Sequence, residues 1–277
     1  MTNDSYFMNA RTLLLLCAAL LPLSAEAAVN FSVVDSVLII PAGEKKIPDY
    51  AFADRPDFRE VRFISPESIA EIGDYAFLGC TNLNTISLPS SLRQIGEGAF
   101  RECSSLESIS IPKGITKIPK YCFAWCGSLC EITLPESIED IASHSFAYCA
   151  SIEDFRFPSA LKHIGSNAFS FCSSLKSIAL PASIKELESY AFAECVSLEK
   201  AQLPANPSLL GELIFSGCRN LREIIELSPI PPQFDCDSEP FDPITESGLY
   251  RQCTLTVPAK ASKYRSTLPW SKFSRGR

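Results

Sequence analysis

Histidine is scarce in this chain. Its 277 residues include only two, His144 and His163. A Ser-His-Asp or Cys-His centre needs a histidine beside both a nucleophile and an orienting group, and neither histidine has such a spacing. The sequence also has no glycine-rich phosphate loop and no zinc-protease motif. These absences argue against an enzyme, so we expect no cofactor and no metal, and we expect both histidines to face solvent.

Basic charge is scarce outside the C-terminus. The whole chain has a net charge of −7, yet residues 251–277 contain seven basic and no acidic residues, which leaves residues 28–250 at −13. Nucleic-acid binding depends on Lys and Arg side chains that neutralise phosphates. This acidic body argues against a nucleic-acid partner, and its carboxylates are expected at scattered, solvated positions.

Long apolar runs are absent as well. The longest, at residues 11–23 (RTLLLLCAALLPL), is too short for a comfortable membrane span. An A-x-A site follows at residues 25–27, as in a secretory signal peptide. Leu16 stands where a lipoprotein signal needs a small residue before Cys17, which argues against a lipid anchor. We predict a signal peptide at residues 1–27, an exported protein that is secreted or held at the cell surface, and no transmembrane segment in the mature chain.

What the chain does have is a repeat. Seven phenylalanines follow one another at intervals of 23 residues: Phe77, Phe100, Phe123, Phe146, Phe169, Phe192 and Phe215. Phe52 precedes the first of them by 25 residues, and the segment Ile64–Glu67 can hold the two extra residues. A cysteine stands three positions after each of the seven: Cys80, Cys103, Cys126, Cys149, Cys172, Cys195 and Cys218. Each unit reads roughly AFxxCxxLxxIxLPxxIxxI.

This repeat predicts a solenoid. A period of 23 residues with LxxIxL is typical of leucine-rich repeats. The two apolar residues of IxL point inward from a short strand, the proline ends its hydrogen bonding, and AFxxC is expected to form a single helical turn that places Phe and Cys inside. We predict an α/β repeat fold in one domain, a right-handed leucine-rich repeat solenoid with short parallel strands. Its N-terminal cap is expected at residues 28–51, its repeats at 52–225 and its C-terminal cap at 226–277.

The cysteines of CFAWCGSLC suggest a metal site at first sight, because thiolates bind zinc. The repeat argues against it: Cys126 belongs to the cysteine ladder, Cys122 takes a slot that alanine fills elsewhere, and Cys130 is expected at the surface. The ladder cysteines are expected to be free buried thiols, with a disulfide ladder as the alternative in an exported protein. Cys236 and Cys253 lie outside the ladder, and a disulfide between them is open.

The repeat resembles that of the BspA-like leucine-rich repeat proteins of bacteria and some protists, as in NAFSFCSSLKSIALPASIKEL at residues 167–187. The ending LTVP at residues 255–258, followed by Tyr264, Trp270 and Phe273, is similar to the closing segment of Bacteroidetes members. The resemblance implies a secreted or surface-exposed protein that takes part in adhesion, and it brings no catalytic motif. We therefore expect protein binding or adhesion to host or other cells. A structural scaffold in a cell-envelope complex is the alternative, and an undetected hydrolase the third.

Two surfaces are candidates for binding a protein or glycan partner on a host or bacterial surface. Trp125, Tyr148 and Phe171 each stand two positions after a repeat phenylalanine, in three successive coils. They are interpreted either as local packing between coils or as an exposed aromatic stripe. Asp154 and Arg156, at outward strand positions, form a weaker second patch. The protein is expected to be a monomer.

Overall fold

The computed structural model describes residues 31–205, 207–232, 253–258, 262–267 and 270–275. The predicted signal peptide, Cys17 and Cys236 lie outside these residues. The chain divides into two compact units, Met1–Ser32 and Val33–Arg277. All the repeats lie in the second unit.

Short parallel strands form two rows, one for each apolar segment of the repeat. The strand β1 (Ser32–Val34) comes first. The first row comprises β2 (Val37–Ile40), β4 (Glu60–Phe63), β6 (Thr85–Ile86), β8 (Ser108–Ser110), β10 (Glu131–Thr133), β13 (Ser177–Ala179), β15 (Lys200–Gln202), β17 (Glu223–Ile225), β18 (Thr254–Thr256) and β19 (Ser274–Arg275). The second row comprises β3 (Lys46–Ile47), β5 (Glu71–Ile72), β7 (Gln94–Ile95), β9 (Lys117–Ile118), β11 (Asp140–Ile141), β12 (His163–Ile164), β14 (Glu186–Leu187) and β16 (Leu209–Leu210).

The register of these strands follows the repeat. Ile132 pairs with Ile109 in the first row, and Ile141 pairs with Ile164 in the second, so residues one repeat apart lie side by side. Alternate residues of a strand point to opposite faces, and β13 accordingly has its central residue buried and both neighbours exposed. The predicted solenoid of 23-residue coils with parallel strands is therefore confirmed.

The predicted helical turn at AFxxC is wrong. No α-helix occurs among the described residues, and the only helical segments are the two 3-10 turns η1 (Ser262–Arg265) and η2 (Trp270–Lys272). The residues two before and two after each repeat phenylalanine have positive φ, such as Tyr121 at 57° and Trp125 at 62°. Left-handed residues cannot continue a right-handed helix. The segment is thus a chain of tight turns, and the fold is a β-solenoid.

Alternate amides of these turns donate to the next coil. Tyr121, Phe123 and Trp125 each donate a backbone N–H to a carbonyl one coil further on, at N–O distances of 3.2, 2.8 and 2.8 Å. The intervening amides bond within the turn, as Ala124 does with the carbonyl of Tyr121 at 3.1 Å. This division satisfies backbone groups that would otherwise be buried without partners.

The phenylalanines form a continuous column in the core. Neighbouring rings from Phe52 to Phe215 stack at centroid distances between 5.2 and 6.0 Å. Each ring is at most 1% exposed. Burying apolar area at about 25 cal/mol per Å² makes this column a main source of stability.

The seven ladder cysteines are buried, free thiols. Each Sγ donates to the carbonyl of a phenylalanine one coil earlier, as Cys126 does to Phe100 at 3.1 Å and Cys149 to Phe123 at 3.1 Å. Burial raises the pKa of Cys126, and it raises the pKa of Cys172 to about 12. Because the thiolate is the reactive and metal-binding form, burial disfavours the reactive form of these two thiols. Cys253 is also a buried free thiol.

Each strand row is interrupted at one coil. In the second row, β7 and β9 belong to different sheets. Pro119 follows β9, whereas the equivalent Gly96 and Ala142 each donate an N–H to the preceding coil at 2.8 and 2.9 Å. Proline has no N–H to donate. The first row is interrupted between β10 and β13, where residues 152–158 form no strand.

The C-terminal segment covers the last coil. Its strand β18 pairs with β17, so the first row continues into the predicted cap. The Tyr264 hydroxyl donates to the Ser228 carbonyl at 3.0 Å, and the Trp270 indole N–H donates to the Pro232 carbonyl at 3.1 Å. Both rings are nearly fully buried. A repeat array needs such an end, because its final coil would otherwise expose the core.

Candidate functional site

Two surface columns flank the buried phenylalanines. We call the residues two before each phenylalanine the tyrosine column: Tyr50, Tyr75, Gly98, Tyr121, His144, Asn167, Tyr190 and Leu213. We call the residues two after it the tryptophan column: Asp54, Gly79, Glu102, Trp125, Tyr148, Phe171, Glu194 and Gly217. Every one of these residues has a φ between 52° and 75°. The coil thus fixes a left-handed conformation at both positions, whatever the side chain.

The aromatic stack is the part of the tryptophan column formed by Trp125, Tyr148 and Phe171. The Trp125 and Tyr148 rings lie 5.0 Å apart at an interplanar angle of 8°. The Tyr148 and Phe171 rings lie 4.4 Å apart at 4°. The three candidate residues are thus brought together. Ring faces cover one another, while Trp125 and Tyr148 remain partly exposed and Phe171 is 40% exposed.

An arginine covers one face of Trp125. The Arg101 guanidinium carbon lies 4.7 Å from the Trp125 ring centroid and 5.4 Å from that of Tyr121 in the neighbouring column. A guanidinium is attracted to the negative face of an aromatic ring. Arg101 also contacts Glu102, with Nε and Oε1 3.3 Å apart. The stack therefore presents ring edges to solvent, and its Phe171 end lies on the side away from Arg101.

The tyrosine column is a second aromatic surface that sequence reasoning missed. Tyr50 and Tyr75 stack at 5.1 Å, Tyr121 and His144 lie 4.8 Å apart, and Tyr190 is 38% exposed. A signal was present, because Gly98 and Asn167 fill the same repeat position as these aromatic rings. Glycine and asparagine recur where φ is positive.

The expectation that both histidines face solvent is confirmed only in part, because each is partly buried. His144 packs against Tyr121, and burial lowers its pKa to about 4, with Lys120 and Arg101 acting in the same direction. Its Nδ1 is buried without a hydrogen-bond partner. The neutral imidazole of His144 therefore stacks at a repeat position that tyrosine occupies in other coils.

His163 bridges two coils. Its Nδ1 lies 2.7 Å from Asp140 Oδ1 and its Nε2 2.9 Å from Glu188 Oε1. The hydrogen bond to Asp140 raises the pKa of His163 to about 9, against the effect of burial and with help from Glu188. Ser166 donates its hydroxyl to the other oxygen of Glu188 at 2.7 Å, so the serine and the histidine contact different oxygens of this carboxylate. Two carboxylates on neighbouring coils favour the protonated form of His163. The positive histidine therefore links the coils, and we call this contact the brace at His163.

Asp154 and Arg156 lie in the coil that has no strand in the first row, within residues 152–158. The Arg156 side chain is 89% exposed, and its Nη2 lies 3.6 Å from Glu136 Oε1. Arg156 lines a depression of about 220 Å³ together with Ile132, Leu134 and Pro158, and Asp154 is not among the lining residues. The second candidate patch is therefore a hollow rather than a flat strand surface.

Metal binding has no support in the described residues. No group of three or more His, Cys, Asp or Glu side chains in that part of the chain is placed to hold a metal ion. Cys122 is buried and Cys130 is exposed, so the thiols of CFAWCGSLC face different surroundings. Within the same residues no helix is long and apolar enough to cross a bilayer.

Comparison with known proteins places this chain among bacterial repeat proteins. A family model described as BspA type leucine rich repeat region matches residues 45–172 and 139–230, in six copies. A leucine-rich repeat protein from Bacteroides ovatus has a similar solved structure, with 26% identity, a TM-score of 0.54, and coverage of 87% of this chain and 72% of that one. The leucine-rich repeat protein of T. pallidum is 26% identical with a TM-score of 0.47, and the match covers 89% of this chain and 94% of that one. No curated protein matches the chain.

Proposed function

Because this chain belongs to the BspA type leucine rich repeat region family, we propose that it is an exported protein that binds a protein partner at a host or bacterial cell surface. The observation that carries the proposal is the aromatic stack. Trp125, Tyr148 and Phe171 form a continuous run of partly exposed rings across three coils. Interfaces concentrate their binding energy in a few aromatic or arginine anchors.

The ring geometry favours a protein over a glycan. A sugar stacks its C–H bonds on an open ring face, because the face carries the negative part of the ring quadrupole. In the stack, Tyr148 has both faces covered, by Trp125 and Phe171, and Trp125 is covered by Arg101. The exposed edges carry the positive part of the quadrupole. They suit the carbonyl oxygens and apolar side chains of a protein surface.

The proposed test is retention of surface proteins by the immobilised mature protein. The test variant carries Trp125→Gly and Tyr148→Gly, because Gly79 and Gly217 occupy the same position in other coils with the same sign of φ. The control is Tyr190→Gly, an exposed ring at positive φ outside the stack. A protein from host or bacterial surface extracts should be retained by wild type and control, and lost or weakened with the test variant.

Measured affinities then decide the proposal. If the stack rings are anchors, each single substitution should weaken binding of the identified partner by more than about 1 kcal/mol, or about five-fold. Equal affinities of wild type and double variant would refute the stack as the docking surface. Retention only of proteins from the producing cell's own envelope would favour the scaffold role over adhesion.

A further inference from the structure

The break in the first strand row has a cause in the sequence. The first inward position of IxL holds Ile86, Ile109, Ile132 and Ile178 in other coils, but Phe155 in this one. The Phe155 ring packs edge-on against its neighbours, with centroids 5.2 Å from Phe146 and 4.7 Å from Phe169. A benzyl group is larger than the isoleucine side chain, and a well-packed core accommodates extra volume by shifting the backbone. The coil therefore has no strand in the first row, although it keeps β12 in the second.

The break exposes apolar side chains that other coils bury. Ile109 and Ile111 are each 4% exposed, whereas the equivalent Ile132 and Leu134 are both partly exposed. Together with Pro158 they line the depression of about 220 Å³. The depression therefore combines these apolar walls with the polar side chains of Thr133, Glu136 and Arg156, and a site that joins apolar walls to a few polar groups can take one side chain.

One carboxylate in this depression is held in place. The Glu136 Oε2 atom accepts the Ser159 backbone N–H and the Ser159 hydroxyl, both at 2.7 Å. Oε1 has only the contact with Arg156 Nη2 at 3.6 Å, which is too long for a hydrogen bond. The carboxylate is thus oriented by one oxygen and leaves the other open to a donor.

The surrounding charge favours a basic ligand. Glu131 is exposed in the coil before the break and Asp154 within it, and Arg156 is the single basic residue of the segment 152–158. Two copies of this acidic surface would repel each other, which disfavours self-association here. A long basic side chain fits both features, because its carbon stem can lie on apolar walls while its charged end meets a carboxylate.

We infer that this depression is a recognition pocket for one arginine or lysine side chain of a protein partner, with the cation on Glu136 and the stem against Ile132, Leu134 and Pro158. The pocket is separate from the aromatic stack and does not rest on it. Arg156 then competes with the ligand for Glu136. In this inference Arg156 opposes binding, whereas in the second candidate patch it was expected to anchor a partner.

The test uses four acetylated, amidated pentapeptides, Gly-Ser-Xaa-Ser-Gly, in which Xaa is arginine, lysine, citrulline or glutamate. Binding to the whole mature protein is followed by NMR shifts in ¹³C-methyl-labelled isoleucine and leucine. The arginine or lysine peptide should perturb Ile132 and Leu134 in a saturable manner, and the neutral and acidic peptides should not. Equal perturbation by all four peptides, or none by any, would overturn the inference.

Protein variants sharpen this test. Glu136→Gln should weaken binding by about ten-fold, and Ser159→Ala, which frees the carboxylate, by a smaller factor. Arg156→Ala should tighten binding, because it removes the competing cation. Weaker basic-peptide binding in Arg156→Ala, or strong binding of the glutamate peptide, would overturn the inference and restore Arg156 as an anchor.

Phe155→Ile restores the regular residue and should close the pocket, so binding should fall while the fold is kept. The double stack variant should bind the peptides as wild type does, so failure of this pocket and failure of the proposed stack are distinguishable. Self-association that Phe155→Ile abolishes would mean that a second copy occupies the break, which contradicts the inference.

Discussion

Two columns of aromatic rings run through the same coils and differ in what covers their edges. The phenylalanine column stacks at 5.2–6.0 Å and is at most 1% exposed. The aromatic stack of Trp125, Tyr148 and Phe171 has similar spacings of 5.0 and 4.4 Å, yet Phe171 is 40% exposed. Ring stacking therefore follows from the repeat alone. The two columns differ in whether other side chains cover the ring edges. Covered edges make the phenylalanine column part of the core, and uncovered edges make the aromatic stack a surface that a partner can contact.

The largest expected effect is in the buried column. Phe146→Ala should lower the free energy of unfolding by about 3–5 kcal/mol, because it removes a fully buried ring and leaves a cavity between Phe123 and Phe169. Urea unfolding of the protein measures the change. A loss below about 1 kcal/mol would mean that the column contributes little and that the distinction between the two columns fails.

The interior also contains a carboxylic acid, Glu226. Its burial should make the stability of the interior depend on pH in a way that an exposed carboxylate does not. Glu226 takes an inward position that leucine or isoleucine fills elsewhere; it is 1% exposed, and one oxygen has no partner. Burial raises its pKa to about 7. Because the folded state favours the protonated form, this group's contribution is full below pH 4.5 and is lost as pH rises through about 7.

Glu226→Gln should therefore stabilise the protein by about 3 kcal/mol at pH 8, and the difference from wild type should shrink towards pH 4. Unfolding curves of both proteins across this pH range test it. The control is Glu131→Gln. Because Glu131 is exposed, this substitution should change stability by less than about 0.5 kcal/mol at either pH. A variant that is less stable than wild type at pH 8 would contradict the assignment.

Two cysteines of one short segment give a smaller contrast between interior and surface. Cys126→Ala should cost about 1–3 kcal/mol, because it removes a buried sulfur and its bond to the Phe100 carbonyl. Cys130→Ala, at an exposed thiol, should stay within about 0.5 kcal/mol. Thiol labelling of the native protein gives an independent check, since Cys130 should react and Cys126 should not. Rapid labelling of both would remove the buried ladder.

The brace at His163 should contribute less than either interior group, because water screens it. Its raised pKa means that the stabilisation is full below pH 6.5 and is lost as pH rises through about 9. His163→Gln should cost about 1 kcal/mol at pH 6 and little at pH 10. His144→Gln lacks the two carboxylates and should not show that pattern. If the loss of stability caused by His163→Gln grew as pH rises, the predicted pH dependence would be wrong.

The interior of this fold could be predicted because it repeats. Phe146 and Cys149 recur at fixed intervals in seven coils, and a side chain that must stack on copies of itself one coil away has one environment. The parallel strands follow for the same reason. The turns could not be predicted as well, because AFxxC alone is compatible with a helical turn, and the left-handed residues show only in the exceptions, such as Gly79 and Asn167.

The surface was harder to predict, since its residues differ between coils. Trp125 and Phe171 could be assigned to one column by spacing, but the sequence does not say that their faces are covered. The contacts of His163 could not be predicted because its partners, Asp140 and Glu188, lie 23 and 25 residues away in neighbouring coils. The hollow beside Arg156 lies in the coil where Phe155 and Phe157 replace the isoleucine and leucine of the neighbouring coils, and in the sequence both read as ordinary apolar strand residues.

The most direct test of the difference between the two columns compares two neighbouring rings. Phe146 and Tyr148 belong to one coil, and each is stacked on both sides. Tyr148→Gly loses the ring but relieves a positive φ of 64°, so the two effects should nearly cancel. In paired urea unfolding, Tyr148→Gly should differ from wild type by less than about 1 kcal/mol while Phe146→Ala loses about 3–5 kcal/mol. Equal losses in the two variants would contradict the account, because the aromatic stack would then be core.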